Sequence, residues 1–165
     1  MITLNEVTKT YPLGKESSVS ALHGVSLKIK KGEFMIIVGR SGSGKTTLLN
    51  LAAGLTRPTS GKILLDGTDL WTLTDQQQSH LRSQKFGFVF QFPSLLPSLT
   101  VQDNVILPTV FGLKKGPAQV HERALQLLQK VGLEDKLEAY PRQLSAGQQQ
   151  RVVIARALMN QPQLL

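Results

Sequence analysis

The segment Gly39–Thr46 (GRSGSGKT) carries residues at a spacing that suits the binding of phosphate groups. It fits the pattern G-x-x-x-x-G-K-[ST], in which the glycines let successive backbone N–H groups point into one concavity. The side chain of Lys45 can reach β- and γ-phosphates, and the hydroxyl of Thr46 can ligate Mg²⁺. An apolar run precedes the pattern and a helical run follows it, as this loop requires. The sequence therefore predicts a site for a nucleoside triphosphate.

A second segment, Leu144–Leu158 (LSAGQQQRVVIARAL), also suits phosphate binding. Ser145 and Gln148 stand three residues apart before an apolar-striped helix, which is a capping-box arrangement. Capping alone does not account for Gly147, whose missing side chain exposes backbone N–H groups at the positive end of a helix. The segment is either a capped helix and nothing more, or a second phosphate-binding surface. Such a surface need not serve the same nucleotide-binding pocket of the same chain.

Hydropathy patterns indicate the strands that position these segments. Ile2–Val7 and Val25–Ile29 alternate apolar and polar residues, which predicts half-buried antiparallel strands separated by a loop at Gly14–Ser20. Phe34–Val38 is continuously apolar, which is typical of a parallel strand covered on both faces. Phe86–Phe90 predicts another buried strand. Further strands are expected at the segments KILLDG and QPQLL.

Helical patterns dominate the second half of the chain. One amphipathic stripe runs from Pro117 to Val131. The other predicted helices are Thr46–Ala53, Val101–Val110 and Gly147–Asn160. Helices inserted between strands of an α/β core indicate a separate helical subdomain. We predict a β subdomain plus P-loop core at residues 1–92 and 161–165, and a helical subdomain at 93–160.

Composition sets broad limits on the class of protein. The 165 residues are 41% hydrophobic, enough for the core of one globular domain, and include no cysteine. No apolar run is long enough to span a bilayer, and no leader opens the chain, so a cytosolic location is expected. The net charge of +8 suits nucleic acid, an anionic membrane or a phosphorylated ligand. The basic residues are scattered, so charge alone does not choose among these partners.

The segment LSAGQQQRVVIARAL closely resembles the signature motif of the ATP-binding cassette (ABC) ATPases, usually L-S-G-G-Q followed by Q-Q-R-V-x-I-A-R-A-L. The resemblance covers essentially the whole chain in order. Tyr11 matches an aromatic residue that stacks on adenine, Gly39–Thr46 matches the Walker A loop, and Gln91 matches the Q-loop glutamine. It implies an α/β fold with a P-loop NTPase core, an N-terminal antiparallel β subdomain and an inserted helical subdomain. The branch most similar is the lipoprotein-release and macrolide-export type.

The resemblance also implies roles for individual residues. Lys45 and Gln91 are the expected catalytic residues, and Thr46 and Gln91 the expected Mg²⁺ ligands. The expected nucleotide-binding residues are Tyr11, Gly39, Arg40, Ser41, Gly42, Ser43, Gly44, Lys45, Thr46 and Thr47. In the family, two domains pair head to tail, and the signature of one contacts the ATP held by the other. The expected signature residues are Leu144, Ser145, Ala146, Gly147 and Gln148.

One residue departs from the usual signature, because Ala146 replaces a glycine. A methyl group costs little if this residue has helical φ, whereas positive φ would cost about 1–2 kcal/mol. We expect helical φ, because Ser145 is predicted to cap a helix that begins at Ala146.

The function implied by the resemblance is that of the ATP-binding subunit of an ABC transporter. The resemblance implies that such a subunit binds ATP and Mg²⁺, acts as a homodimer or paired cassette, and drives transport through a separate membrane permease docked near Gln91. The expected location is the cytoplasmic face of the inner membrane, and no nucleic acid is expected to bind. Two alternatives stay open: a soluble ABC-type ATPase acting on nucleic acid or ribosomes, and a binding-only fragment. The family's Walker B Asp-Glu pair follows the position of Leu165, so we expect residues 1–165 alone to hydrolyse ATP poorly.

Overall fold

The structure, a computed structural model, describes residues 1–14, 17–111 and 116–165. The chain divides into two compact units, Met1–Gln78 and Ser79–Leu165. The first contains an antiparallel sheet and a short helix, and the second is mostly helical. Among the described residues, no helix has the length and apolar character needed to cross a membrane.

The sheet of the first unit has four antiparallel strands in the order β2-β1-β3-β4. Their bounds are β1 (Ile2–Leu13), β2 (Ser17–Ile29), β3 (Ser60–Leu65) and β4 (Thr68–Asp69). Ile2, Leu4 and Ile63 are buried, because alternate residues of a strand point to the same face of the sheet. Helix α1 (Lys45–Ala52) buries Leu51 and Ala52.

The two predicted N-terminal strands are confirmed but are longer than hydropathy indicated. β1 continues to Leu13 and β2 begins at Ser17, so the predicted loop at Gly14–Ser20 is too long. Lys15 and Glu16 of that loop lie outside the described residues. Backbone pairing between β1 and β2 extends the ladder through polar positions such as Thr10 opposite Ser20.

The prediction of a buried strand at Phe34–Val38 is wrong in this structure. The segment pairs with no strand among the described residues, and Phe34, Ile36 and Val38 are 88%, 71% and 84% exposed. A parallel strand depends on hydrogen bonds to its neighbours, and an apolar sequence alone does not supply them. At Phe86–Phe90 only Phe86 forms a bridge, parallel to Leu164. Within the described part of the chain, the strand expected at QPQLL is not formed, because Leu164 in this same bridge is the only paired residue of that segment.

Most of the second unit packs around one apolar cluster, which contains residues of its last three α-helices. α2 (Asp75–Lys85) crosses the boundary between the units, and α3 (Val101–Ile106), α4 (Pro117–Lys130) and α5 (Ala146–Leu158) follow. The cluster is formed by Val101, Val105, Val120, Ala124, Leu127, Leu128, Leu133, Leu144, Val152, Ala155 and Met159. The predicted stripe of α4 is thus confirmed.

Two helical predictions need correction. The helix predicted at Val101–Val110 ends as an α-helix at Ile106 and continues as a 3₁₀-helix at Leu107–Phe111. Pro108 accounts for the change, because proline has no N–H to donate within an α-helix. α2 was not predicted, because its sequence DQQQSHLRSQK contains too few apolar residues to show a helical period.

Candidate functional site

The loop before α1 turns sharply at Gly44. This residue has a φ of +86°, a backbone conformation that residues other than glycine rarely adopt. A Cβ at Gly44 would lie 2.5 Å from the carbonyl oxygen of Ala21 on β2. The absence of a side chain therefore lets α1 begin directly beside the sheet. Gly44 also offers no side-chain cap, so the first N–H groups of α1 remain available to an external acceptor.

The ammonium group of Lys45 folds back over this loop. Its Nζ donates hydrogen bonds to the carbonyl oxygens of Gly39 and Arg40, at 2.8 and 2.7 Å, and lies 3.5 Å from Ser43 Oγ. Ser43 N donates to the Arg40 carbonyl at 3.2 Å, which closes a turn within the loop. The positive charge is therefore held beside the N-terminus of α1, whose first turn contains no acidic residue. This combination can bind a multiply charged anion.

The remaining residues predicted for this site are in the same segment or on β1. Ser41, Gly42 and Thr46 are exposed, and Thr47 is partly buried in the first turn of α1. Tyr11 lies near the end of β1, is 37% exposed and pairs with Val19. The Lys9 ammonium lies 4.9 Å from the centroid of the Tyr11 ring. The first unit thus contains every residue of the predicted nucleotide-binding set.

Gln91 lies in the second unit, in an exposed segment that helix α5 contacts at two points. Gln150 Nε2 donates to the carbonyl of Phe90 at 3.2 Å, and Arg156 Nη1 donates to the carbonyl of Ser94 at 2.8 Å. The contacts flank Gln91 on both sides. Burial lowers the pKa of the Arg156 guanidinium, which nevertheless stays charged at neutral pH.

Asn104, a fully buried residue of α3, stabilises the loop that precedes this helix. Its Oδ1 accepts from Leu96 N at 2.8 Å, and its Nδ2 lies 3.0, 3.1 and 2.9 Å from the carbonyl oxygens of Leu96, Leu99 and Thr100. A buried amide that meets four backbone groups fixes the shape of a loop. Sequence reasoning did not identify Asn104, Gln150 or Arg156. Gln150 and Arg156 lie within the segment that resembles the family pattern, whereas the only signal for Asn104 was a polar residue within a predicted helix.

The predicted cap at the start of α5 is confirmed. Ser145 Oγ accepts from Gln148 N at 3.3 Å, and Gln148 Oε1 accepts from Ser145 N at 2.8 Å. Ala146 is the first helical residue and is not among the non-glycine residues with positive φ. The expectation that its methyl group causes no backbone strain is therefore confirmed. Gly147 is exposed, and a Cβ there would meet open space.

The QQQR segment of α5 ties this N-terminus to the rest of the second unit. Gln149 Nε2 lies 2.8 Å from the carbonyl oxygen of Pro141 and 3.3 Å from that of Leu144. Arg151 Nη1 donates to the carbonyl of Val131 at 3.0 Å. Leu144 itself is buried in the apolar cluster. The exposed turn at Ser145–Gly147 is thus presented on a rigid support.

Comparisons with known proteins agree with this arrangement. The family described as "ABC transporter" matches residues 22–165. A macrolide export ATP-binding/permease protein MacB of Syntrophobacter fumaroxidans is 48% identical over 166 residues, which cover 100% of this chain and 23% of that protein. The lipoprotein-releasing system ATP-binding protein LolD of Buchnera aphidicola is 45% identical over 159 residues, which cover 96% of this chain and 69% of that protein.

A solved structure is also similar over nearly the whole chain. It is the dimeric structure of a post-hydrolysis state of the ATP-binding cassette MJ0796 bound to ADP and Pi, with a TM-score of 0.91 and 45% sequence identity. The match covers 98% of this chain and 71% of that one, and it confirms the predicted α/β fold class. The chain thus spans about a quarter of the MacB relative's length and about 70% of the other two. On the family match and these identities, the chain belongs to the ABC transporter family, as one of its ATP-binding cassettes.

Proposed function

We propose that this chain is the cassette of an ABC transporter that binds ATP with Mg²⁺ at Gly39–Thr47 and hydrolyses it to drive a membrane permease. The observation that carries the proposal is the Lys45 ammonium, held by two carbonyls of its own loop beside the open end of α1. An amine fixed in this way is positioned before the ligand arrives, so little side-chain entropy is lost on binding.

The nucleotide would be held at its two ends by different chemistry. The phosphates would accept hydrogen bonds from the N–H groups of the loop and from Lys45, and the ring of Tyr11 would stack on adenine. The exposed Thr46 hydroxyl and the amide oxygen of Gln91 are oxygen donors, the ligand type that Mg²⁺ prefers. Each of these side chains is chemically suited to Mg²⁺, which would neutralise the charge of the phosphates when bound.

Hydrolysis would proceed by attack of water on the γ-phosphorus, with ADP as the leaving group and inorganic phosphate as the second product. The roles that this chain's residues can fill are positioning and charge stabilisation, which dominate phosphoryl transfer. Lys45 and the N–H groups of α1 would stabilise the charge on the equatorial oxygens. The side-chain amide of Gln91, in the segment between Phe90 and Ser94, would be a further polar group for these two roles.

The signature residues would bind the ATP held by a second cassette. Support comes from the N-terminus of α5, which presents Ala146 and Gly147 to solvent with no acidic residue in its first turn. Support also comes from the similar solved structure, which is a dimer bound to ADP and Pi. We therefore propose a homodimer or a pair of related cassettes.

A permease partner and a site at the cytoplasmic face of the membrane complete the proposal. The segment after Gln91 exposes a large apolar side chain, Phe92, which is 75% exposed. With Phe90 and Leu96, which are 45% and 44% exposed, it forms a run of exposed apolar side chains, the kind of surface that favours a protein contact. The similar relatives include a combined ATP-binding/permease protein and an ATP-binding protein of a lipoprotein-releasing system.

A soluble ABC-type ATPase acting on nucleic acid is the second candidate, because the net charge is +8. The two candidates differ in their partners. The tagged full-length protein, purified from detergent-solubilised membranes and from a ribosome-containing lysate fraction, should retain an integral membrane protein after a high-salt wash. Retention of RNA or ribosomes alone would favour the second candidate.

The nucleotide site is tested by Lys45→Ala in the full-length protein. We expect ATP affinity to fall at least a hundredfold in a fluorescence titration, because charge-assisted hydrogen bonds to the phosphates are lost. The matched control is Lys28→Ala, at an exposed position on β2. An unchanged affinity in the Lys45 variant would contradict the assignment of this loop.

A further inference from the structure

We propose that Lys9 is a positioning residue for the adenine end of the nucleotide, because it holds one face of the Tyr11 ring. This inference rests on the proposed stacking role of Tyr11. Lys9 and Tyr11 are two residues apart on β1, and side chains at that spacing emerge on the same face of a strand.

The contact between the two side chains is direct. Lys9 Nζ lies 4.9 Å from the centroid of the Tyr11 ring, within the distance at which a cation is attracted to an aromatic face. The same Nζ donates a hydrogen bond of 2.7 Å to the carbonyl oxygen of Arg57. The ammonium is therefore held from one side by a backbone acceptor and rests on the ring with the other. An aromatic ring has two faces, and this arrangement leaves the second face for a base.

The acceptor for Lys9 is itself fixed in position. The guanidinium of Arg57 lies 6.0 Å from the centroid of the Trp71 ring, and the backbone N–H of Trp71 donates to Asp69 Oδ1 at 3.0 Å. Two residues after Arg57, the chain is bound to β1, because Thr59 N donates to the Thr8 carbonyl at 2.8 Å.

A second bond joins the same segment to the residue before Tyr11. Thr10 N donates to Thr59 Oγ1 at 3.0 Å, so the backbone next to the ring is fixed by the segment that supplies the acceptor for Lys9. We name Lys9, Arg57, Thr59 and Trp71 the tyrosine bracket. Without the bracket, an exposed tyrosine near the end of a strand would sample several rotamers, and a bound base would have to select one of them.

The test compares two ligands that share phosphates but not a base. ATP and inorganic tripolyphosphate, both as magnesium complexes, are titrated by calorimetry into the full-length protein. Lys9→Met removes the charge and the donor while keeping a similar length. We expect it to weaken ATP binding about five- to tenfold and to change tripolyphosphate binding less than twofold. Lys9→Arg keeps a cation and donors and should stay within about twofold of the wild type for both ligands.

Controls separate this inference from the proposed function. Tyr11→Leu should weaken ATP but not tripolyphosphate, and Lys9→Met added to it should have no further effect, because the two residues act through one contact. Lys28→Met, on the exposed side of β2, should change neither affinity. Equal affinities of Tyr11→Leu and wild type for ATP would overturn the stacking role itself.

The inference alone fails under a different result. If Tyr11→Leu loses affinity for ATP while Lys9→Met does not, Tyr11 needs no bracket. If Lys9→Met weakens both ligands equally, Lys9 acts on the phosphates through its charge, and the positioning role is also refuted. Should Lys9→Met fail to fold, Lys9→Gln replaces it with the same expectations, and a change in ATP affinity below twofold in that variant overturns the proposal.

Discussion

Substitution of Gly44 by alanine should destabilise the protein far more than the same change at Gly42, two residues earlier in the same loop. Both residues have positive φ, +86° at Gly44 and +79° at Gly42, so each alanine pays a similar conformational cost of about 1–2 kcal/mol. The surroundings differ. A Cβ at Gly42 would meet nothing within 4 Å, whereas a Cβ at Gly44 would lie 2.5 Å from the Ala21 carbonyl oxygen and 3.1 Å from Leu22 Cδ2.

The steric part of the cost is estimated from overpacking. The obstructing atom at Gly44 belongs to Ala21 of β2, which lies at a register shift between the pairs Leu22–Lys9 and Ser20–Thr10, so it is held by paired neighbours on both sides. Overpacking of this kind costs about 1–3 kcal/mol. Gly42→Ala should therefore lower the free energy of unfolding by about 1–2 kcal/mol, and Gly44→Ala by about 2–5 kcal/mol, following the same two contributions.

Urea unfolding of the full-length variants, followed by circular dichroism, measures this difference. With an m-value of about 1–3 kcal/mol per molar urea, the midpoint of Gly44→Ala should lie roughly 1 M below that of Gly42→Ala. Gly44→Ala should also weaken ATP binding, because a shifted start of α1 moves Lys45. Equal midpoints for the two variants would refute the reasoning, since they would show that β2 yields freely at Ala21.

Three further expectations concern the second unit. Ala146→Gly should change ATP turnover of the full-length protein by less than about tenfold, roughly 1.4 kcal/mol, because Ala146 is already helical; a larger rise in a phosphate-release assay would show that the methyl obstructs phosphate. Gln91→Ala should leave ATP affinity nearly intact while weakening transport per ATP hydrolysed in reconstituted vesicles, and normal coupling would contradict its role. Arg156→Met should lower the free energy of unfolding by about 1–3 kcal/mol in urea titrations, because the Ser94 carbonyl loses its charged donor. Lys130→Met, exposed at the end of α4, is its control and should change it by less than about 0.5 kcal/mol.

Local chemistry was predictable from the sequence where the interacting residues are close along the chain. The Ser145–Gln148 cap and the buried stripe of α4 depend on spacings of three and four residues, and both are present. The unpaired, exposed state of Phe34–Val38 was not predictable in the same way, because hydropathy says that a segment favours burial but not whether a strand pairs with it. The contact of Arg156 with Ser94 joins residues 62 positions apart, so only the fold determines the acceptor.

Helix α5 shows why a predicted phosphate-binding turn needs so many polar residues behind it. Its apolar face, with Val152 and Ala155, is buried. Gln149 reaches the carbonyl of Pro141, and Gln150 and Arg156 reach two carbonyls of the segment around Gln91. The hydrophobic effect is non-directional, whereas a hydrogen bond weakens steeply when its distance or angle changes. The polar contacts therefore fix the rotation and axial position of the helix, which the apolar face alone leaves adjustable. Since two of these contacts flank Gln91, the start of α5 and the segment around Gln91 are held in one defined geometry. The polar side chains of α5 therefore support both that segment and the turn at Ser145.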